Sequence, residues 1–351
     1  LIGQKVGTSV AHFDGSGDYI TAAASSDFDW GSSDFTVEGW VNLTAEDTGG
    51  YGLWGNRPSS PTSGWFWEWG AGDMYFYYHD GSSQVNKNWE WTAAINRWYH
   101  LAVVRSSNTL NFYVDGVGQG SQAITDTITA GTTLFYGYQV GSSSYDFNGY
   151  IGPQRLSDTA RYTADFTPPD DVWTNDSDTK LLIQNGTDGS QTFDDLSTGD
   201  HTISVTGDVR WFAPKVGAGA MVFDGYSDYF SIADSADWDF GGDFTVECWF
   251  KTSAASTEQC IFGTEVTHTN NDRWAFAIDT DNKMYFFIRG VATSFKGTTV
   301  LSTGTWYHVA AVRSSGTITM YLNGAAEATL SDTTSLVADG LVIGCWYTGG
   351  T

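Results

Sequence analysis

The chain has 351 residues, with 41 acidic against 16 basic side chains and a formal charge of −25. An acidic surface of that kind excludes nucleic acid and anionic membranes as partners, and no apolar run approaches the ~20 residues that membrane insertion by a helix requires. Its 41 glycines against 6 prolines, 16% aromatic content and abundant Ser and Thr favour strands and turns over helices.

Phe13-Asp14-Gly15 runs through Ser16 and Gly17 to Asp18-Tyr19, a hairpin pattern in which Asp and Gly suit the turn. Asp34-Phe35-Thr36-Val37-Glu38 with Trp40 reads as the next strand. Trp65, Trp67 and Trp69 then alternate with Phe66 and Glu68, the period-two pattern of a strand with one heavily apolar face. Gly70-Ala71-Gly72-Asp73 turns the chain into Met74-Tyr75-Phe76-Tyr77-Tyr78, and Asn88-Trp89-Glu90-Trp91 follows. A further hairpin runs from Trp98-Tyr99-His100 through Arg105 and a Ser-Ser-Asn turn to Asp115-Gly116. Gly149-Tyr150-Ile151 leads to Arg155 and Ala160-Arg161-Tyr162, and Pro168-Pro169 with Asp170-Asp171 marks a boundary. Thr179-Lys180-Leu181-Leu182-Ile183-Gln184 is a strand beyond it.

The pattern then recurs. Lys5-Val6-Gly7 and Phe13-Asp14-Gly15 return as Lys215-Val216-Gly217 and Phe223-Asp224-Gly225, with Asp228-Tyr229 in the place of Asp18-Tyr19. Asp243-Phe244-Thr245-Val246-Glu247 with Trp249, Met284-Tyr285-Phe286-Phe287, and Trp306-Tyr307-His308 with Arg313 follow in the same order. An ordered series of matches with small drifts in spacing is a duplicated domain. The sequence divides into a first sandwich at residues 1–170, its opening strand absent, a linker at 171–177, and a second sandwich at 178–351, its closing segment absent. That asymmetry suits a window cut from a longer repeat protein, with strand exchange from a neighbouring chain as the alternative. Cys248, Cys260 and Cys345 all fall in the second copy and fit no zinc or redox spacing. They read as small buried hydrophobes, with a Cys260–Cys345 bridge as the alternative.

These motifs together (Phe-Asp-Gly-x-x-Asp-Tyr, Asp-Phe-Thr-Val-Glu-x-Trp, Trp-Tyr-His-x-Ala-x-Val-Arg, Tyr-x-Asp/Asn-Gly and the closing Gly-Tyr-Ile) resemble the laminin-G-like, concanavalin-A-like jelly-roll domains. The resemblance covers most of both copies and implies an all-β fold of two tandem antiparallel β-sandwiches. It is of the subtype common in bacteriophage structural proteins and bacterial surface adhesins. What it implies is a non-catalytic structural and recognition protein, extracellular or on a virion, partnered by sister subunits or other virion or surface proteins and by host glycans. A secreted or cell-surface adhesin, lectin or filament subunit is the alternative, and an accessory domain of a carbohydrate-active enzyme the third.

Candidate sites are few. Asp14 and Asp18, with Asp224 and Asp228, form the acidic turns that suit calcium, a hard cation that takes several oxygens at once; hairpin-turn chemistry explains the same residues. No other cofactor is indicated. Glu38 and Glu247 share a strand position, but Trp40 and Asn42, or Trp249 and Lys251, stand where a second carboxylate would complete a glycosidase pair. His100 and His308 fit no triad or metal spacing and read as packing residues, while Arg105 and Arg313 read as turn caps or ion-pair partners. Trp89 and Trp91 have no aromatic counterpart near Gly297-Thr298-Thr299, so they read as an added surface for stacking on sugars, together with Tyr77 and His79. A subunit interface or local core repacking accounts for the same difference.

Overall fold

The structure is a computed structural model. It describes residues 2–3, 9–44, 50–58, 62–70, 72–138, 146–213, 215, 219–223, 225, 228–264, 274–288, 295–336 and 340–344. The chain divides into two compact units, Leu1–Ala220 and Met221–Thr351. Among the described residues there is no α-helix, only short 3-10 turns at Ser26–Phe28 and Ala236–Trp238. Each is started by a serine, Ser25 or Ser235, whose hydroxyl accepts from the backbone N–H two residues on.

In the first unit the strands run in order β1 (Ile2–Gly3), β2 (Val10–Asp14), β3 (Tyr19–Ala22), β4 (Phe35–Leu43), β5 (Tyr51–Gly55) and β6 (Trp65–Gly70). They continue as β7 (Asp73–His79), β8 (Gln84–Glu90), β9 (Trp98–Ser106), β10 (Thr109–Val114), β11 (Val117–Ala123), β12 (Leu134–Tyr136) and β13 (Asn148–Ser157). Last come β14 (Thr179–Ile183), β15 (Ile203–Thr206), β16 (Arg210–Phe212) and β17 (Gly219–Ala220), the last pairing with β1. An eight-stranded sheet has the order β11-β10-β9-β4-β13-β2-β16, with β14 also on β13; a seven-stranded sheet has the order β15-β3-β12-β5-β6-β7-β8. The strand alternation read from sequence sets the inner faces: Phe35, Val37 and Val41 of β4 meet Trp65, Trp67 and Trp69 of β6 and Met74, Phe76 and Tyr78 of β7 in one core.

The domain boundary differs from the one expected at residues 171–177. β14 pairs with β13, β15 with β3 and β16 with β2, so residues 179–212 complete the first sandwich. Leu181, Ile183, Phe193, Val209 and Trp211 enter its core. The proline pair is therefore a crossing over the sheet rather than a break between units. The opening strand expected to be missing from the first copy is supplied by the segment that precedes the second copy's first motif. Val10–Asp14 accordingly lies between β13 and β16 and presents no open edge.

In the second unit the strands are β18 (Phe230–Ile232), β19 (Phe244–Lys251), β20 (Gln259–Thr264), β21 (Trp274–Ile278), β22 (Met284–Ile288) and β23 (Phe295–Lys296). β24 (Trp306–Ser314), β25 (Thr317–Leu322), β26 (Ala325–Ser331) and β27 (Leu341–Ile343) complete it. The two sheets are β18-β27-β20-β21-β22-β23 and β19-β24-β25-β26. Arg105 and Arg313 do the same work in the two units: each guanidinium donates to three backbone carbonyls, Ser107, Gly31 and Ile124 in one, Gly242, Thr334 and Phe240 in the other. Gly39 and Cys248 are also explained by packing. A Cβ on Gly39 would lie 2.8 Å from the Trp54 indole, whereas the second copy has the smaller Phe262 in place of Trp54. Burial, and secondarily Glu247, push the Cys248 thiol up to about 12, so it is an inert hydrophobe. Cys345, and with it the Cys260–Cys345 alternative, lies outside the described residues.

Candidate functional site

The outer face of the seven-stranded sheet carries an aromatic and polar row built by three neighbouring strands. Phe66 pairs across to Tyr77 and Tyr77 to Asn86; one step along, Glu68 pairs to Tyr75 and Tyr75 to Asn88. Tyr75 and Tyr77, two apart on β7, share this face by strand periodicity, and their rings stack at 5.7 Å and 10°. The Arg57 guanidinium lies 4.9 Å from the Phe66 ring centre and 5.8 Å from that of Tyr77, and donates to Gln84 Oε1 at 3.0 Å. Asp73 Oδ2 accepts from the Tyr75 hydroxyl at 3.3 Å and from Asn88 Nδ2 at 3.1 Å.

The electrostatics of the row keep it neutral where it is aromatic. Burial, then the Glu68 carboxylate that accepts from its hydroxyl, hold the Tyr77 phenol well above the ordinary tyrosine range. Burial and Asp73 raise that of Tyr75. Both hydroxyls therefore stay protonated donors beside fixed carboxylate acceptors. Asn86 and Asn88 are exposed and Tyr75 and Tyr77 half-buried. Among the described residues the second sandwich has no such row: Ala275 and Ala277 stand for Phe66 and Glu68, and Phe287 for Tyr77. Lys296, which pairs with Tyr285 as Asn88 does with Tyr75, is held by Asp279 and Asp281.

Of the four aromatic-surface candidates, the structure brings Tyr77 and His79 to this face and takes Trp89 and Trp91 away from it. Trp89 is 5% exposed and packs 5.7 Å from Phe112 in the core. Trp91 is half-buried against Trp69, Tyr99 and Phe112. The reading of them as an added sugar surface is corrected: they are inner-face residues of β8 and of the turn after it. Core volume is kept in the second copy by a shift of two residues. Phe295, opposite Phe286, stands where Lys87 faces Phe76, and Gly297 stands where Trp89 faces Met74. His79 caps the adjacent turn, its Nδ1 accepting from the Gly81 N–H at 3.0 Å. Tyr75, Glu68, Arg57, Asn86 and Asn88 were not singled out from sequence. Their signal was present in the alternation that put Trp67 inward, since the residues between must face out.

The acidic turn is a separate feature at the sandwich rim. Asp18 is 1% exposed; its two oxygens accept from the backbone N–H groups of Asp14 at 3.0 Å and Asp208 at 2.7 Å. Asp14, Asp18 and Asp208 bring one carboxylate oxygen each to within 4.8 Å of one another. Asp146, 5% exposed, accepts from the Gly17 N–H through Oδ2, and its Oδ1 has no hydrogen-bond partner among the described residues. Burial, with the neighbouring carboxylates, raises the Asp18 carboxyl against the pull of its two backbone donors. Oxygens so spaced are compatible with one ion at the 2.3–2.6 Å distances typical of calcium. Asp208 comes from the segment 179–212 that completes the first sandwich and was invisible to a motif search. Asp224 lies outside the described residues, and Asp228 is exposed.

Residues 14–165 and 224–351 match the profile of the concanavalin A-like lectin/glucanases superfamily. The chain belongs to that superfamily. None of the curated proteins matches it in sequence. Among solved structures it is similar to domains LG4-5 of the mouse laminin alpha1 chain, at 13% identity over 95% of this chain and 80% of that one, with a TM-score of 0.37. A putative carbohydrate binding protein from Bacteroides ovatus matches at 14% identity over 60% of each chain, with a TM-score of 0.47. Domain 4 of a GH43 extracellular arabinanase from Geobacillus stearothermophilus, in complex with arabinotriose, matches at 17% identity over 43% of this chain and 71% of that one, with a TM-score of 0.36.

In this concanavalin A-like chain the carboxylate of β4 has a structural task. Glu38 is wholly buried, one oxygen taking Arg155 Nε at 2.8 Å, the other lying 3.2 Å from His100 Nε2 and accepting from the Tyr162 hydroxyl at 2.8 Å. Burial would raise its carboxyl, but His100, Arg155 and Tyr162 together hold it below the ordinary carboxylate range. Both oxygens are engaged by Arg155, His100 and Tyr162, and the side chain is wholly buried.

Proposed function

We propose that the chain is a non-catalytic recognition module that binds carbohydrate on the outer face of the seven-stranded sheet of its first sandwich. The observation that carries this reading is the stacked Tyr75–Tyr77 pair flanked by Arg57, Glu68, Asp73, Asn86 and Asn88, present in one sandwich and replaced in the other. The electron-rich faces of such rings attract the polarised C–H groups of a sugar, and fixed carboxylates and amides beside them suit its hydroxyls. Membership of a lectin/glucanase superfamily supports a sugar as the ligand, and the engagement of Glu38 supports binding without catalysis. A glycan array followed by calorimetry tests it. Tyr75→Ala and Tyr77→Ala should each weaken the selected glycan at least about ten-fold, a loss of about 1.4 kcal/mol, with the protein still folded at the binding temperature. Equal binding by wild type and both variants would remove this face from consideration.

The setting we propose is outside a cell, on a virion or a bacterial surface. Among the described residues no helix is long and apolar enough to cross a membrane. Detection of the protein in purified particles, against detection on intact cells, separates the two. The rim cluster of Asp14, Asp18 and Asp208 is proposed as a calcium site that fixes the turn joining β2 and β3 to residues 207–208.

A further inference from the structure

Given the reading of Tyr75 and Tyr77 as a carbohydrate platform, on which this rests, we infer that the ligand is an extended chain of neutral sugars lying across the strands. Its far end is held by a second aromatic patch, Tyr19, Phe135 and Tyr138, on the same side of the seven-stranded sheet.

Strand periodicity sets the second patch on the outer face. Ile20 and Ala22 of β3 and Leu134 and Tyr136 of β12 enter the core, so Tyr19, Thr21 and Phe135 point the other way. The Tyr19 ring stacks on that of Tyr138 at 4.8 Å and 26°, and Phe135 lies 5.9 Å from each. All three are half-buried. One unbroken cross-strand row joins the patches: Thr21 pairs with Phe135, Phe135 with Gly55, Gly55 with Phe66, Phe66 with Tyr77 and Tyr77 with Asn86. Gly52 and Gly55 are the outward positions of β5, opposite Glu68 and Phe66, so no side chain rises from that strand between the patches. The Phe66 ring leans onto Gly55, 2.6 Å from where a Cβ would stand, and makes the floor there apolar. From β12 to β7 is three strand spacings, about 14 Å at ~4.8 Å each, more than one sugar ring covers.

The second sandwich separates what the fold needs from what is added. Gly263 stands for Gly55, and a Cβ on it would likewise lie 2.6 Å from a β21 side chain, that of Ala275. The glycine therefore serves the close approach of the strands. The rings beside it are not kept. Val342 pairs with Gly263 where Phe135 pairs with Gly55. The Gly344 N–H donates to Ile261 O as the Gly137 N–H donates to Leu53 O, and the next residue is Cys345 where the first sandwich has Tyr138. Two patches on one sheet hold a glycan that reaches both more tightly than either holds a single ring, because the second contact is intramolecular. Charge narrows the ligand further. Glu68, Asp73 and Glu90, which faces Asp73, line the β6–β8 end against the cation Arg57, already donating to Gln84. A carboxylated or sulfated sugar would set like charges together there, whereas a neutral one brings hydroxyls that suit these carboxylates and the amides of Asn86 and Asn88.

Affinity electrophoresis of the full chain through gels holding xylan, mixed-linkage β-glucan, galactomannan or arabinan, with polygalacturonate and heparin in parallel, is the first test. Retardation by at least one neutral polymer and by neither acidic one is expected. The disaccharide and hexasaccharide of the retarding polymer are then titrated, and the hexasaccharide should bind at least about ten-fold more tightly. Phe135→Ala and Tyr138→Ala should each weaken the hexasaccharide about ten-fold and leave the disaccharide as it was, which also shows the sheet still folded. Tyr138, beyond the end of β12, is the substitution less coupled to strand packing. Tyr77→Ala should weaken both ligands. A hexasaccharide no tighter than the disaccharide would overturn the inference and leave the Tyr75–Tyr77 platform standing. So would Phe135→Ala and Tyr138→Ala without effect beside a damaging Tyr77→Ala, or retardation by the acidic polymers alone. Binding indifferent to all four tyrosine and phenylalanine substitutions, Tyr75→Ala included, or no retardation by any polymer, would overturn the platform as well.

Discussion

Arg155 and Glu38 meet as a buried pair from opposite ends of the first sandwich's sequence, Nε donating to Oε1 at 2.8 Å and the terminal nitrogen 2.6 Å from the same oxygen. Their strands are hydrogen-bonded neighbours with these two residues directly opposite, so the pair reports the register of β13 on β4. Removing one partner of a buried pair leaves an uncompensated charge, at a cost of about 3–5 kcal/mol. Arg155→Ala should therefore lower the unfolding free energy of the first sandwich by that much, read from a lower urea midpoint. Glu247→Gln, at the exposed counterpart, should change the second by under about 0.5 kcal/mol. Equal effects in the two units would show that burial does not distinguish them.

The same carboxylates predict acid sensitivity. Glu38 is held low by His100, Arg155 and Tyr162 against the opposing effect of burial. Asp195 is held low, also against burial, by the N–H groups of His201, Leu182 and Ser197 and by the His201 ring, whose Nδ1 lies 2.7 Å away. For a carboxyl whose folded pKa is depressed, the stabilisation is present above the unfolded value, near 4, and is lost as pH falls through the folded one. Thermal melts of the first sandwich should accordingly decline gently below about pH 6.5, where burial holds His12 below the ordinary histidine range, and steeply below about 4. Asp195→Asn should flatten that acid limb; an unchanged limb would assign it to other groups.

Calcium gives a third test. If Asp14, Asp18 and Asp208 bind the ion in the folded state alone, calcium should add about 1.4 kcal/mol of stability at ten times the dissociation constant and raise the melting temperature accordingly. Asp208→Asn should remove that response, whereas Asp228→Asn, in the second unit, should leave it intact. A melting curve blind to calcium, with no calorimetric heat, would leave Asp18 as a turn residue and nothing more.

Much of this fold was legible because its signals are local. The alternation of Trp65, Trp67 and Trp69, the Asp-Gly turns and the duplicated motifs each report a strand, a hairpin or a copy without reference to anything distant. Trp89 misled because a copy-by-copy comparison assumes that a core slot is filled from one strand position. The two sandwiches fill theirs from positions two residues apart, Trp89 and Phe295. The domain boundary misled for a related reason. Thr179–Ile183 precedes the second copy's motifs in sequence, yet its hydrogen-bond partner is β13 of the first, and nothing in a strand's own residues names its partner. Tyr75 and Glu68 went unnoticed because each is unremarkable alone. Only pairing across β6 and β7 sets them side by side.

The relocated tryptophan and the exposed tyrosine separate stability from binding. Trp89→Ala opens a cavity against Met74 and Phe112 and should cost about 3–5 kcal/mol. Tyr77→Ala removes a half-buried ring from the outer face and should cost far less while abolishing any glycan binding there. If instead Trp89→Ala melts like wild type, its burial has been misassigned.

A single methyl group tests how closely the tail of the first sandwich lies on the turn at Gly116. Gly116 and Gly324 share a positive φ, 79° and 81°, so alanine at either carries the left-handed backbone cost of about 1 kcal/mol. At Gly116 the added Cβ also collides with the Phe166 carbonyl, whose own N–H donates to Gly116 O at 2.9 Å. Gly116→Ala should therefore peel away the tail carrying Tyr162 and Phe166, exposing Glu38 and lowering the stability of the first sandwich well beyond the backbone cost. Gly324→Ala should show the backbone cost alone.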